Sequence, residues 1–141
     1  MIAAMASNLG DLKVLVVEDS PAAAKLLQMV LAGLGIHQTF IAHDGKAAQD
    51  FLDAADDLVD LIICDWKMPR MSGLELLCQV RTVYPEMPFM MVTGNADMES
   101  VRAAKESGVD AYITKPFSAR QVQSKLLALT NNMTNSIVYS D

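Results

Sequence analysis

Five side chains able to do charge chemistry stand where short apolar runs end. Glu18 and Asp19 follow Lys13–Val17, Asp65 follows 61–64, Thr93 closes 89–92, and Lys115 comes after Ala111–Thr114. Carboxylates crowded into one crevice repel by about 4 kcal/mol per pair at ~4 Å, if the effective dielectric is about 20. A cation must offset that repulsion, and Lys115 alone leaves three carboxylates net negative. A hard divalent ion held through oxygen completes the set. Mg²⁺ suits, because it accepts one or two carboxylates together with waters and a phosphoryl oxygen. Zinc does not, because neither Cys nor His has ligand spacing here. A carboxylate beside a metal, an ammonium and a hydroxyl has the parts of a phosphoryl-transfer site, where the protein positions groups and neutralises charge. Asp65 stands alone at its strand end and is the candidate nucleophile for an acyl phosphate. The adjacent Glu18 and Asp19 suit metal binding.

These groups meet only if the runs are strands of one parallel sheet. Short runs rich in Val and Ile read as strands buried on both faces, and helical patterns between them make the strands parallel. All C-terminal ends then share one edge, where open α/β sheets bind ligands. The pattern predicts strands at about 13–17, 38–42, 61–64 running into Asp65, 89–92 ending at Thr93, and 111–114. A first helix follows Ser20 as N-cap and Pro21 at its first position. Its apolar stripe is Ala23, Leu27, Val30, Leu31 and Leu34, with Gly33 and Gly35 at the exit. Further helices are predicted at 46–53 after an Asp44-Gly45 turn, 73–84 before Pro85, 97–107 with Gly108 as its stop, and 119–129 behind Ser118. The acidic stretch 53–60 reads as a solvated connection, and 67–73, broken by Pro and Gly, as a loop. Five strands alternating with five helices predict an α/β, three-layer, doubly wound sandwich. Of the two common strand orders, the flavodoxin-like 2-1-3-4-5 needs only five strands and sets strands one and three side by side. That order joins the acidic ends.

With 141 residues, 52% hydrophobic and 20% charged, the chain is sized for a single domain and too apolar for disorder. Residues 1–10 read as a loose leader, 11–130 as the domain, and 131–141 as a short polar tail, either a disordered end or the stub of a linker. A net charge of -6 argues against nucleic acid as a partner. No apolar stretch approaches the ~20 residues of a membrane span, so no membrane partner is expected. The first residues lack the basic region of a secretory signal, and Cys64 and Cys78 lack framework spacing. The expectation is a cytoplasmic protein in reducing surroundings, with Cys64 a small core thiol. His37 and His43 flank the second strand and read as surface residues away from the active edge. Met68 and Met71 read as loop filler or partner contacts.

Glu18-Asp19 after strand one, Asp65 after strand three, Met68-Pro69 with Gly73, Thr93-Gly94 and Lys115-Pro116-Phe117 occur in a specific order at strand ends. In that arrangement the chain resembles the receiver domain of two-component response regulators, of the single-domain chemotaxis type, over about 11–129. The resemblance implies that Asp65 accepts phosphate from a phosphohistidine on a sensor histidine kinase or a histidine phosphotransfer protein, as one step of a phosphorelay. It also implies Mg²⁺ held by Asp19, Asp65 and the backbone carbonyl of Lys67, with Glu18 acting partly through metal-bound water. Thr93 and Lys115 would contact the phosphoryl oxygens, and the Lys115-Pro116 bond is typically cis in this family. Tyr112 would be an aromatic switch that turns inward as Thr93 moves toward phosphate. The surface of helix four, strand five and helix five then changes for an output protein. The alternative is a Tyr packed at the sheet edge with its hydroxyl in water.

Glu18 stands where many receivers carry Asp, which leaves direct or water-mediated metal contact open. The Lys67 side chain either reaches over the phosphoryl group and slows its hydrolysis or extends into solvent. Trp66 reads as packing beside the crevice. The leading function is a signalling module that catalyses only its own phosphorylation and dephosphorylation. The alternatives are a receiver-like scaffold that signals without phosphate, and a phosphatase with an aspartyl nucleophile. Such phosphatases usually place a second Asp two residues after the first, where this chain has Lys67. A nucleotide site is disfavoured, since no Gly-rich phosphate loop follows strand one.

Overall fold

Val14, Leu15, Val16 and Val17 are each 0% exposed, as a strand must be when both faces of its sheet are covered. This computed structural model describes residues 9–94 and 97–139, the last helix beyond Asn131 by its backbone alone. The expected leader up to residue 8 and the final residues 140–141 lie outside the described residues. Strands β1 (Lys13–Val17), β2 (Gln38–Ala42), β3 (Leu61–Asp65), β4 (Phe89–Thr93) and β5 (Ala111–Thr114) form one parallel sheet in the order β2-β1-β3-β4-β5. This is the predicted flavodoxin-like order.

Alternate side chains of β1 feed two separate cores. Val14 and Val16 meet Leu27 and Leu31 of helix α1 (Pro21–Gly33) and Val122 and Leu126 of helix α5 (Ala119–Tyr139). Leu15 and Val17 meet Ala48 and Leu52 of α2 (Gly45–Ala55) and Leu76 and Leu77 of α3 (Gly73–Val83). Each fully buried Leu or Val contributes roughly 1.5–3 kcal/mol. The fourth helix, α4 (Met98–Glu106), buries Ala104.

Caps fix where each helix begins. Ser20 accepts from the Ala23 N–H, Asp44 from Ala47, Asp97 from Ser100 and Ser118 from Gln121, while Ser72 and Glu75 form a reciprocal capping box. Each cap lies just beyond a strand end, so the helices start at the edge of the sheet where the candidate residues sit. At the opposite edge, Arg81 clamps two loops, those that lead into β4 and β5. It donates to Gly108 O at 2.9 Å, to Met87 O at 2.6 Å and to Asp110 Oδ2 at 2.7 Å.

Several boundaries differ from the sequence expectation. Asp44-Gly45 is the start of α2 rather than a free turn, because Asp44 caps the helix. A 3-10 turn, Asp56–Leu58, breaks the acidic connection. The α5 backbone runs to Tyr139, past the expected end at Leu129, through a Thr- and Asn-rich stretch that holds no Gly or Pro to stop it. On α1, Ala24 rather than Ala23 is fully buried, and Leu26 and Met29 face outward. Gly35, with φ +93°, makes the turn after α1. Among the described residues no helix is long and apolar enough to cross a membrane.

Candidate functional site

Pairing of β1 with β3 sets Val17 opposite Cys64, so the next residues, Glu18 just past β1 and Asp65 at the last position of β3, come side by side. Pairing of β4 with β5 sets Thr93 opposite Thr114, which brings Lys115 to the same edge. The Lys115 N–H donates to Thr93 O at 2.7 Å. Its Nζ lies 3.2 Å from Glu18 Oε1 and 3.5 Å from Asp65 Oδ2. The Lys115-Pro116 bond is cis. Glu18, Asp19 and Asp65 each offer one carboxylate oxygen, and these atoms lie within 4.8 Å of one another. An open cleft of about 550 Å³, lined by Asp65, Lys67, Thr93, Gly94 and Lys115, continues from the cluster.

The loop between β3 and α3 returns across the strand end at very close range. The Gly73 N–H donates to Trp66 O at 2.7 Å. A Cβ on Gly73 would collide with the Asp65 carbonyl oxygen and come within 3.0 Å of Trp66 Cα. Only glycine allows α3 to start there. Arg70 turns the chain at φ 69°, in the left-handed region that few side chains adopt.

The charges do not balance. Burial pushes the Glu18 carboxyl above its usual range; the Ser20 N–H opposes this, the Asp65 charge adds to it, and Lys115 opposes it. Burial pulls the Lys115 ammonium down, but Asp65 and then Glu18 outweigh burial and hold it above its ordinary value. The two partners of one ion pair thus respond unequally. Lys115 faces two carboxylates, whereas Glu18 has one ammonium set against burial and a second carboxylate. Three hard oxygen donors with a negative excess fit a divalent cation such as Mg²⁺. No buried side-chain nitrogen or oxygen among the described residues lacks a hydrogen-bond partner.

The structure brings Glu18, Asp19, Asp65, Thr93, Lys67 and Lys115 to one edge. Thr93 is 1% exposed. Tyr112 is half-buried; burial and then the Asp97 charge hold the pKa of its hydroxyl above the ordinary value, against a side-chain hydrogen bond with Thr93. Its ring meets Trp66 edge-on, with centroids 6.5 Å apart, a pairing not foreseen. His43 is a correction. It was expected away from the active edge, but it follows β2 directly and its Nδ1 donates to Glu18 O at 3.1 Å. The signal was available, since β2 ends on the same edge as every other strand. Met71 packs against Gly45 and, with Met68, against the core between α2 and α3.

Comparison with known proteins gives one family. The model described as "Response regulator receiver domain" matches residues 14–127. A chemotaxis protein CheY homolog of Campylobacter jejuni is 38% identical over 117 residues, covering 82% of this chain and 89% of that protein. Chemotaxis protein CheY-3 of Vibrio cholerae is 34% identical over 118 residues with the same coverage, 82% and 89%. Among solved structures, a CheY-like receiver domain protein of Methanospirillum hungatei superposes with TM-score 0.80 at 28% identity, covering 89% of this chain and 98% of that one.

Proposed function

The chain belongs to the response regulator receiver family of two-component signalling, and from that premise we propose that Asp65 is its phospho-acceptor. The observation that carries this is Lys115 Nζ, 3.2 Å from Glu18 and 3.5 Å from Asp65, beside a cluster of three carboxylates. The donor is a phosphohistidine on a sensor histidine kinase or a histidine phosphotransfer protein. An Asp65 carboxylate oxygen attacks phosphorus, the P–N bond breaks, and its electron pair leaves with the imidazole nitrogen. Lys115 and Thr93 meet the phosphoryl oxygens, and the ammonium neutralises charge as it arrives. When bound, Mg²⁺ adds positive charge at those oxygens, held by Asp19, Asp65 and the Lys67 backbone carbonyl, with Glu18 partly through water. Lys67 borders the cleft, and that placement supports a side chain that screens the phosphoryl group from water.

Thr93 and Tyr112 are the relay. Their side-chain hydrogen bond couples the cleft to the ring of Tyr112, so a Thr93 hydroxyl drawn toward phosphate frees that ring to turn inward and alters the α4–β5–α5 surface presented to an output protein. In this reading the chain turns over no separate substrate and catalyses only its own phosphorylation and dephosphorylation, in the cytoplasm. The test is intact mass after incubation with Mg²⁺ and a small acyl phosphate. Wild type gains one phosphoryl group only when Mg²⁺ is present, and Asp65→Asn gains none. No adduct on wild type would favour the scaffold, and steady release of product from a phosphate ester would favour the phosphatase.

A further inference from the structure

A methyl group at residue 45 has nowhere to go. Built on the Gly45 backbone, a Cβ would lie 2.6 Å from Met71 Sδ and 2.9 Å from Met71 Cγ and Cβ. The sulfur is the mobile end of a flexible side chain and could move aside. Met71 Cβ is bonded to the loop backbone, so its relief requires the loop to shift. That loop, 66–72, is held as a unit. The Gly73 N–H closes it on Trp66 O at 2.7 Å, the Met71 N–H donates to Pro69 O at 2.7 Å, and Ser72 caps α3. Its other limb carries Lys67, which borders the cleft with Asp65, Thr93 and Lys115. Met71 is half-buried against the core between α2 and α3, so it is a seated side chain rather than a loose one.

We infer that Met71, seated on Gly45, is a positioning residue: the contact sets the path of the Asp65–Gly73 loop and so places Lys67 along the cation-binding cleft. The inference rests on the metal-dependent reading above. It gives α2, which lines no part of that cleft, control over cation affinity. Ala normally favours a helix over Gly, so Gly45→Ala separates the two effects: it should support α2 and yet disturb the site.

The test is a Mg²⁺ titration of the full chain, followed through Trp66, the single tryptophan. It compares wild type, Gly45→Ala, Met71→Ala and the double variant. Gly33→Ala, with nothing within 4 Å of its added Cβ, is the control and binds as wild type does. Gly45→Ala should bind Mg²⁺ roughly tenfold more weakly, the low end of the cost of disturbing groups that support a metal site. Met71→Ala should also bind more weakly. The double variant should bind about as weakly as Gly45→Ala and no more weakly, because the Met71 Cβ clash that shifts the loop is present in both. Wild-type affinity in Gly45→Ala, or losses that simply multiply in the double variant, overturns the inference. If Gly45→Ala does not fold, Met71→Ala decides alone: unchanged affinity with a wild-type circular dichroism spectrum refutes the role, and weakened affinity supports it. The phosphate adduct on wild type keeps the two readings apart. An adduct-forming wild type matched by Gly45→Ala sinks only the positioning role, whereas a wild type that forms none sinks the phospho-acceptor reading beneath it.

Discussion

Replacing Glu18 by Gln should make the metal-free protein more stable at neutral pH and blunt its response to Mg²⁺. Glu18 is 5% exposed. Its attraction to Lys115 at 3.2 Å is about 5 kcal/mol at an effective dielectric of about 20. That is an upper bound, because the Lys115 side chain is 34% exposed. Repulsion from Asp65, with oxygens within 4.8 Å, is about 3.5 kcal/mol on the same scale. Desolvation of a buried carboxylate adds several kcal/mol more against the charge. Lys115 keeps Asp65 as a partner at 3.5 Å, so no charge is stranded, and terms of this size leave a small remainder, on the order of 1 kcal/mol, that favours the neutral group.

The sign with pH follows from linkage. A carboxyl held above its unfolded value of 4.5 binds its proton more tightly in the folded chain, so its contribution to stability falls as pH rises through that window. The advantage of Glu18→Gln should vanish well below 4.5, open as pH rises through the raised folded value, and be complete near neutrality. Urea unfolding in a chelator, at acid and neutral pH, reads the difference directly. Mg²⁺ at a hundredfold excess over its dissociation constant then stabilises wild type by about 2.7 kcal/mol and the variant by less, reversing their order. A variant less stable than wild type at neutral pH without metal, or a gap that persists in acid, would refute the reasoning. The Glu18–Lys115 pair would then be a net stabilising ion pair rather than a charge held for function.

Lys115→Met leaves the carboxylates without their ammonium and should lower metal-free stability by about 2 kcal/mol, less than the loss for a fully buried pair. Because Lys115 is held above 10.5, that difference is full below this pH and closes as alkali titrates the wild-type ammonium; urea unfolding measures it, and intact mass should show slower adduct formation. Gly73→Ala drives a methyl into the Asp65 carbonyl and toward the Trp66 backbone, neither of which can yield. It should cost more than about 2 kcal/mol and abolish the Mg²⁺-dependent change in Trp66 fluorescence. Arg81→Met removes donors to Gly108, Met87 and Asp110 and should cost about 2–3 kcal/mol. Its rate of adduct formation should match wild type, because the clamp lies at the edge of the sheet opposite the cleft.

The strands and their polar ends could be read from residue order alone. A strand covered on both faces must be apolar at every position, as at 14–17, so a charged residue marks its end without ambiguity. Two helix starts were equally legible, since Ser20 and Ser118 announce caps through local hydrogen bonds. The α5 end was not. Thr and Asn carry weak propensity either way, and the stretch holds no Gly or Pro. The position of His43 depends on the direction of β2 within the sheet, which puts the C-terminal end of that outer strand beside Glu18. The contacts of Gly45 with Met71 and of Trp66 with Tyr112 join elements whose approach depends on packing, and no local pattern encodes them. Residue types, their order and their strand-end positions belonged to the sequence, because hydrophobic periodicity and capping act over a few neighbours. The 3.2 Å approach of Lys115 to Glu18, 97 residues apart, belonged to the tertiary structure: charges meet only where the strand order and register bring them, and their raised or lowered proton affinities arise from burial that the chain acquires on folding.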